Sequence, residues 1–398
     1  MRSGLLMVIL ATTLFSATAV TCYAQDQEPI ETIQDVSGQA RLALVNAAEA
    51  RRAERYDEAV TILQNIVDNH PKLDHFLVRF HLGNSLELVD RTADAAVQFE
   101  AAVTLEPRHA PSWLSLGQSA FDSGNYSLAA KSLEQAFRID EEPETLWLYY
   151  AGVAHLQGDD PLEAASVLRE VCTIADTRPE LDWFRAWIAA ESLAGRREQG
   201  DQAVATMLIH HPDDPRAWAL HSQHALQYED YRTAAVALTV QDYLAPLAAD
   251  DRTRLGDILS AAGTPAWAAR QYREALGQEP SSEDYVRLAR AHLAAHADDD
   301  ALAVINEALG LAPSFELWNM KGYVSYEREE FEAAMTAFGE CLDLKPDFGR
   351  AHTLMGYCAL ELGRFGEARV ALELALKFDD ELETAQGLLR DLRRRVAE

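Results

Sequence analysis

Apolar residues recur at three- and four-residue steps along almost the whole chain, in runs of about a dozen residues. Short polar segments separate these runs, for example at residues 122–125 and 362–364. Apolar positions with this spacing lie on one face of a helix, so each run is predicted to form an amphipathic helix. One pair of such helices cannot bury its own apolar faces completely. The pattern therefore predicts an all-α fold in which helix pairs stack in a row.

Alanine occupies the same position in successive helix pairs and shows that they are copies of one unit. The ten alanines are Ala59, Ala95, Ala129, Ala164, Ala203, Ala234, Ala268, Ala301, Ala334 and Ala368. Their spacings are 36, 34, 35, 39, 31, 34, 33, 33 and 34 residues. Periods of about 20 to 50 residues are typical of solenoids, propellers and other repeat arrays. The sequence therefore predicts ten repeats.

Other residue types also keep their place within the repeat. The unit around Ala129 contains Trp113, then Leu116 and Gly117, and later Ala136. We expect Gly117 on the first helix to face Ala129 and Ala136 on the second, because a larger side chain would hold the helix axes apart. The repeat tryptophans are expected to be core anchors; they are Trp113, Trp218, Trp267 and Trp318.

A large residue four positions after the alanine and a closing proline complete the unit, as in Phe99 with Pro107 and Phe338 with Pro346. The order Trp, Leu-Gly, Ala, aromatic, Pro resembles the pattern of the tetratricopeptide-repeat family. The resemblance implies a right-handed α-solenoid of about ten helix-turn-helix units with a C-terminal capping helix. It also implies a non-enzymatic protein that binds protein or peptide partners.

The repeats and three other segments account for the whole chain. The predicted segments are a signal peptide at 1–24, an acidic linker at 25–39, repeats one to four at 40–182, repeats five to ten at 183–382, and a capping helix at 383–398. The last helix is predicted to cover the end of the stack with one apolar stripe, which is favoured over membrane contact through its arginines. The stripe residues are Leu382, Ala385, Leu389, Leu392 and Val396.

The fifth repeat departs from the regular spacing. Ala203 lies 39 residues after Ala164 and 31 before Ala234, and Glu191 stands where the other repeats have a small first-helix residue. Pro179 lies in the longer segment that precedes this repeat. We expect a looser or kinked junction near residues 173–215, and faster hydrogen exchange there than in the neighbouring repeats.

The first residues have the composition of an export signal. Arg2 supplies a positive charge, residues 5–15 form an apolar run, and small residues precede Gln25. This order is typical of a cleaved secretory signal, so the mature chain is predicted to be periplasmic or extracellular. Two alternatives remain: an uncleaved membrane anchor, and a lipid-modified N-terminus at Cys22. Nothing after residue 25 is apolar enough to predict a transmembrane segment in the mature chain.

The formal net charge is -29. Such an acidic surface repels nucleic acid and anionic lipid and favours a basic partner, so no nucleic acid is expected among the partners. Three cysteines follow the signal, Cys172, Cys341 and Cys358. Cys341 and Cys358 lie in adjacent repeats and could meet in a disulfide, but buried free thiols are the favoured interpretation.

No residues remain for a catalytic domain, and the motif patterns of nucleotide, zinc-protease and hydrolase sites are absent from the sequence. The best metal candidate is His292 with His296, followed by Asp298, Asp299 and Asp300. A core histidine next to a solvated turn is the simpler explanation. The prediction is therefore a protein without catalytic residues, metal or cofactor.

The family resemblance implies that partners are met by first-helix residues on the concave face. The residue after the small first-helix position, with its neighbours four before and three after, is expected to form one exposed stripe per repeat. The candidate groove residues are Phe80, Asn84, Leu114, Gln118, Phe121, Tyr149, Asn319, Tyr323, Tyr326 and Tyr357. Some of these side chains could instead pack against neighbouring first helices.

The stripe does not favour binding of a peptide carboxylate. Relatives that grip a C-terminal carboxylate combine lysine and arginine with asparagine, whereas Asn84 is followed one repeat later by Leu114 and Gln118. An apolar or helical segment fits such a groove better.

Together these features predict an exported scaffold or adaptor that mediates protein–protein interactions. Resemblance to exported bacterial members suggests envelope assembly, secretion or polysaccharide export. The alternative is a chaperone-like or regulatory peptide-binding module that uses the aromatic groove for several clients.

Overall fold

The computed structural model describes residues 36–174 and 178–397. Within these ranges the regular structure is helical, in agreement with the predicted all-α fold. The α-helices are α1 (Gly38–Arg52), α2 (Tyr56–Asn69), α3 (Phe76–Glu87), α4 (Thr92–Leu105), α5 (Ala110–Asp122), α6 (Tyr126–Ile139), α7 (Thr145–Gln157), α8 (Pro161–Ile174), α9 (Leu181–Leu193), α10 (Arg197–His210), α11 (Pro215–Gln227), α12 (Tyr231–Leu244), α13 (Ala249–Ala261), α14 (Pro265–Ala275), α15 (Ser282–Ala294), α16 (Asp298–Leu309), α17 (Phe315–Glu327), α18 (Phe331–Leu344), α19 (Gly349–Glu361), α20 (Phe365–Ala375) and α21 (Leu382–Ala397). Successive helices pair, from α1 with α2 to α19 with α20, and form the ten repeats.

Every pair is joined by a short turn that contains one residue in the left-handed region, with φ between 57° and 79°. A left-handed residue just beyond a helix end lets the chain reverse and satisfies carbonyls of the last turn. The ten turn residues are Glu54, Asp90, Gly124, Asp159, Gly195, Glu229, Gly263, His296, Glu329 and Gly363. They are 36, 34, 35, 36, 34, 34, 33, 33 and 34 residues apart. The position of this turn residue thus marks equivalent positions in all ten repeats, whatever the residue type.

This register corrects the interpretation of the fifth repeat. The small second-helix residue lies five positions after the turn residue, which in this repeat is Gly200 and not Ala203. The N–H of Gly200 donates to the carbonyl of Arg196 at 3.0 Å, as that of Ala234 donates to Asp230 at 3.0 Å in the next repeat. The uneven spacing arose because glycine serves here as the small residue. The uneven alanine spacing therefore no longer supports a looser junction near residues 173–215. That junction stays a prediction.

Glycines on the first helices allow the two helices of a repeat to approach closely. A Cβ atom on Gly117 would lie 2.7 Å from Leu133 Cγ, and one on Gly322 would lie 2.5 Å from Phe338 Cε1. Gly117 therefore lies against Leu133, and a Cβ on the equivalent Gly356 would also lie 3.5 Å from the carbonyl oxygen of the repeat alanine Ala368. That Gly117 faces Ala129 and Ala136 stays a prediction. The same contact recurs sixteen residues apart in the pairs Gly83–Phe99, Gly152–Leu168, Gly256–Tyr272 and Gly356–Leu372. In the fifth repeat the glycine position is held by Ile188, so Glu191 is not its replacement.

The chain divides into two compact units between Leu220 and His221, inside α11. Unit 1 ends at Leu220, and its core includes the fully buried rings of Phe80, Phe99 and Phe184. Unit 2 begins at His221, and Phe338 is its largest fully buried side chain. The boundary predicted between residues 182 and 183 follows the repeat pattern and stays a prediction.

The first helix begins inside the predicted linker. Val36 is buried, its carbonyl accepts a hydrogen bond from Arg41 Nη2 at 3.0 Å, and α1 starts at Gly38. The linker at 25–39 therefore extends too far by at least two residues. The predicted signal at 1–24, with Cys22, and the rest of the linker lie outside the described residues.

The last helix, α21, covers the apolar end of repeat ten, as predicted. Ala385 and Leu392 are buried in one cluster with Leu372 of α20. Leu382 and Val396 are exposed, so the apolar stripe is shorter than expected. No helix within residues 36–174 and 178–397 combines the length and apolar character needed to span a bilayer.

Candidate interaction surface

In unit 1 the predicted first-helix stripe is largely part of the core. Phe80, Leu114, Gln118 and Tyr149 are only 1%, 2%, 4% and 5% exposed. Their expected exposure is wrong, because side chains of adjacent repeats pack against one another across these positions. Asn84 and Phe121 are half-buried.

Aromatic contacts between repeats show how the stripe of unit 1 is filled. The Phe80 ring lies edge-on to His109 of the next repeat with centroids 5.1 Å apart. Tyr149 stacks on Trp183 of the following repeat at 6.1 Å. Burial raises the pKa of Tyr149 above its usual range. These rings stabilise the repeat stack and offer little surface to a partner.

The stripe of unit 1 also carries a partly dehydrated carboxyl group. The buried Ser119 hydroxyl donates a hydrogen bond to Glu87. Loss of water raises the pKa of Glu87, and repulsion from the Asp122 carboxylate adds to the rise against the lowering effect of Ser119. This edge of unit 1 therefore carries acidic groups, and Phe121 is its one candidate aromatic residue that is not buried.

In unit 2 the predicted stripe remains accessible. Asn319, Tyr323 and Tyr326 of α17 and Tyr357 of α19 are all half-buried. The rings of Tyr326 and Tyr357 meet at 5.5 Å with an interplanar angle of 67°. The structure therefore brings together four of the predicted groove residues from repeats nine and ten, which we call the tyrosine surface.

Two phenylalanines of the second helix, the buried Phe338 and the half-buried Phe331, fix the orientation of these tyrosines. Tyr323 packs at a right angle on Phe338, with ring centroids 5.6 Å apart. Phe338 is the ring that Gly322 contacts, so the close helix approach also places Tyr323. Phe331 lies edge-on to Tyr357 at 6.2 Å. Rings held in this way lose little freedom on binding, which favours their use as anchors.

The hydroxyls of Tyr326 and Tyr357 stay protonated at neutral pH and can donate hydrogen bonds. Burial is the main cause that raises the pKa of Tyr326 and Tyr357, and neighbouring carboxylates raise it further. Arg350 lies near Tyr323, and its Nη1 atom donates a hydrogen bond to Glu381 Oε2 at 3.5 Å. The tyrosine surface is thus apolar in its centre and polar at its edge, as protein-binding patches commonly are.

The hypothesised metal ligands do not form a larger site. His292 is half-buried, its Nδ1 lies 4.0 Å from Asp300 Oδ2, and burial lowers its pKa. His296 is the left-handed turn residue of its repeat. Across the two described ranges, no group of three or more His, Cys, Asp or Glu side chains is arranged to hold a metal ion.

The three cysteines are buried free thiols, as favoured from the sequence. Burial raises the pKa of Cys172 to about 12 and that of Cys341 and Cys358 to about 11. Because the thiolate is the reactive form, these side chains are structural.

Two features escaped sequence reasoning. Trp267, in the first turn of α14, is 58% exposed and is therefore not a core anchor. Glu191 is fully buried, and it accepts a hydrogen bond from Trp187 Nε1 at 3.0 Å and one from Arg196 Nη2 at 3.2 Å. The spacing of Trp187, Glu191 and Arg196 would allow these side chains to meet at a helix end. Polar residues with such spacing are also common on exposed helices, so the sequence alone did not indicate a buried cluster.

Ten similar helix pairs, two of which carry the tyrosine surface, define a helical-repeat protein. Three sequence models of the tetratricopeptide repeat match residues 42–72, 114–179 and 325–392. These three segments are tetratricopeptide repeats, and the helix pairs of the structure agree with a solenoid of such repeats. This fold is typical of non-enzymatic scaffolds for protein–protein interactions.

Solved structures with similar folds include a tetratricopeptide-repeat protein from Parabacteroides merdae, at 15% identity and a TM-score of 0.36, which covers 63% of this chain and 98% of that one. YrrB, described as a tetratricopeptide-repeat protein with an unusual peptide-binding site, has 17% identity and a TM-score of 0.35 over 46% of this chain and 91% of its own. MamA has 16% identity and a TM-score of 0.34, and the match covers 41% of this chain and 94% of MamA. At these identities the likeness is one of fold and indicates no partner. No curated protein sequence matches the chain.

Proposed function

We propose that this protein is an exported scaffold that binds a peptide segment of its partner on the tyrosine surface of unit 2. One observation carries the proposal. Tyr323, Tyr326 and Tyr357 form a contiguous, half-exposed aromatic cluster, whereas the matching side chains of unit 1 are mostly buried by their own neighbours. Large aromatic side chains that are held rigid and partly exposed are the residues most often found at the centres of interfaces.

An apolar segment suits this surface better than a free carboxylate. Arg350, the cation near Tyr323, already pairs with Glu381 at 3.5 Å, so it is not a free anchor for a carboxylate. The rings of Tyr326 and Tyr357 offer faces and edges against which apolar side chains of a helix or an extended strand can pack.

The affinity of the mature protein for its partner should fall at least about tenfold when Tyr326 and Tyr357 are both changed to alanine, since two interface anchors each contribute about 1 kcal/mol or more. Captured proteins from the native cell, identified by mass spectrometry and titrated against the purified chain, give the measurement. The matched control is Tyr231→Ala with Tyr243→Ala, because those exposed tyrosines lie on the second helix α12 of the same unit.

Circular dichroism of both variants shows whether the fold is retained. Equal partner affinity for the folded Tyr326→Ala/Tyr357→Ala variant and the wild type would remove the tyrosine surface from the proposal. Capture of many unrelated proteins, all lost in this variant, would favour the chaperone-like alternative.

Export is supported by the residues at 1–24, and a periplasmic or extracellular scaffold suits work in envelope assembly, secretion or polysaccharide export. If the signal is cleaved as proposed, protein purified from its own cell begins at Gln25, which Edman degradation or intact mass determines. A retained Met1 contradicts cleavage, and a lipid-modified Cys22 at the N-terminus would identify a lipoprotein instead.

A further inference from the structure

The tyrosine surface has an acidic margin. Glu327 follows Tyr326 directly at the end of α17, and Glu329 is the left-handed turn residue two positions later. Both side chains are exposed. The Glu327 carboxylate adds to the effect of burial in raising the pKa of Tyr326, and Glu361 and Glu329 do the same for Tyr357. Arg350 has the opposite effect on the pKa of Tyr326, and Arg395 has the opposite effect on that of Tyr357, so any excess negative charge comes from carboxylates that no arginine pairs.

The cations around this margin are already occupied by carboxylates of the chain. Arg395 pairs with Glu361 at 2.9 Å and with Asp391 at 2.8 Å. Arg328 pairs with Asp299 at 2.5 Å and with Glu330 at 3.0 Å.

Glu327 and Glu329, in contrast, make no ion pair with any residue in the part of the chain that the structure describes. Their charges are therefore available to a partner.

One hydrogen-bond acceptor of the tyrosine surface, on Asn319, has no donor among the described residues. The Oδ1 atom of Asn319 is buried, and no described residue donates a hydrogen bond to it. A buried polar atom without a hydrogen-bond partner destabilises the fold, so movement that exposed this atom to a donor from a bound chain would be favoured. Asn319 lies on α17 with Tyr323 and Tyr326.

Aromatic faces attract Lys and especially Arg side chains, and nearby carboxylates strengthen that attraction. The net charge of -29 favours approach of a basic partner over a longer distance. We infer that the segment bound on the tyrosine surface is basic, and that one of its Lys or Arg side chains lies against Tyr326 and Tyr357 and is held by Glu327 and Glu329. This inference rests on the proposed function and specifies the partner's charge.

Selection of a random twelve-residue peptide library on the purified mature protein tests the inference. Enriched peptides should share an Arg or Lys at one position. Their affinity should fall about fivefold or more for Glu327→Gln/Glu329→Gln, the size expected for loss of about 1 kcal/mol of charge attraction at a partly exposed site. The control Glu340→Gln/Glu383→Gln removes the same charge from exposed positions on α18 and α21 and should leave affinity nearly unchanged.

The possible outcomes distinguish binding on the tyrosine surface from a preference for a basic segment. Peptides that bind wild type and the Tyr326→Ala/Tyr357→Ala variant equally would contradict the tyrosine surface itself. Peptides that need the two tyrosines but share no cation, and bind Glu327→Gln/Glu329→Gln as well as wild type, would overturn the basic partner alone. Equal weakening by both glutamine variants would show a general charge effect and would also overturn the specific contact.

Discussion

Replacing Arg196 with alanine is expected to destabilise unit 1 by about 3 kcal/mol, because it leaves the Glu191 carboxylate buried with one hydrogen-bond donor. Glu191 is only 1% exposed, and Arg196 Nε lies 2.9 Å from its Oε2 atom. Breaking a buried ion pair costs about 3–5 kcal/mol, and the lower end applies here because the Arg196 side chain is 33% exposed. Urea unfolding followed by circular dichroism measures the change, and hydrogen exchange in α9 and α10 locates it.

Two further variants show whether the loss of stability comes from breaking the Glu191–Arg196 pair or from removing an arginine in general. Arg197→Ala removes a neighbouring surface arginine, 3.9 Å from Asp201, and should cost no more than about 1 kcal/mol. The double variant Glu191→Leu/Arg196→Ala removes both charges and should regain most of the stability lost in Arg196→Ala, since apolar residues can replace buried pairs. Equal stability of Arg196→Ala and Arg197→Ala would show that the buried pair has no special role.

Two glycine-to-alanine changes within repeat nine should have opposite effects. Gly322→Ala places a Cβ 2.5 Å from Phe338 Cε1, so the ring must move, at a cost of about 1–3 kcal/mol. Gly339→Ala lies inside α18 with no heavy atom within 4 Å of the added carbon, and should stabilise by about 0.5–1 kcal/mol. Thermal and urea unfolding of the two purified variants give the comparison.

The pair tests whether close approach of the helices sets the fold of the repeat. A Gly322→Ala protein as stable as wild type would mean that Phe338 shifts without cost. Because Phe338 supports Tyr323, the same variant should also weaken peptide binding, whereas Gly339→Ala should not.

The helix pairs and their period could be read from the sequence, because a small residue is needed wherever two helices cross closely. The same reasoning failed in the fifth repeat, where Ala203 was aligned although Gly200 occupies the position. A search for alanine alone misses an equivalent glycine. The turn residues are spaced more evenly than the alanines. They could not be found from the sequence, because Glu54, Gly124 and His296 share a backbone conformation but no side-chain type.

The candidate site could be predicted only in part. Helical spacing placed Phe80 and Tyr149 on the same stripe as Tyr323 and Tyr326, yet the first two are buried and the others are not. Burial depends on which side chain the next repeat presents, as Trp183 does for Tyr149. Those contacts join residues about one repeat apart and follow from three-dimensional packing, which the periodicity of one chain does not specify.

The proposed function requires a partner on the tyrosine surface in the cell. Photo-crosslinking in the native cell tests this directly, with a photoreactive phenylalanine analogue at position 326 and, for comparison, at Val370, an exposed position on the second helix α20 of repeat ten. We expect a discrete crosslinked partner from position 326 and little or none from position 370. Equal crosslinking at both positions, or a discrete partner from position 370 alone, would contradict it.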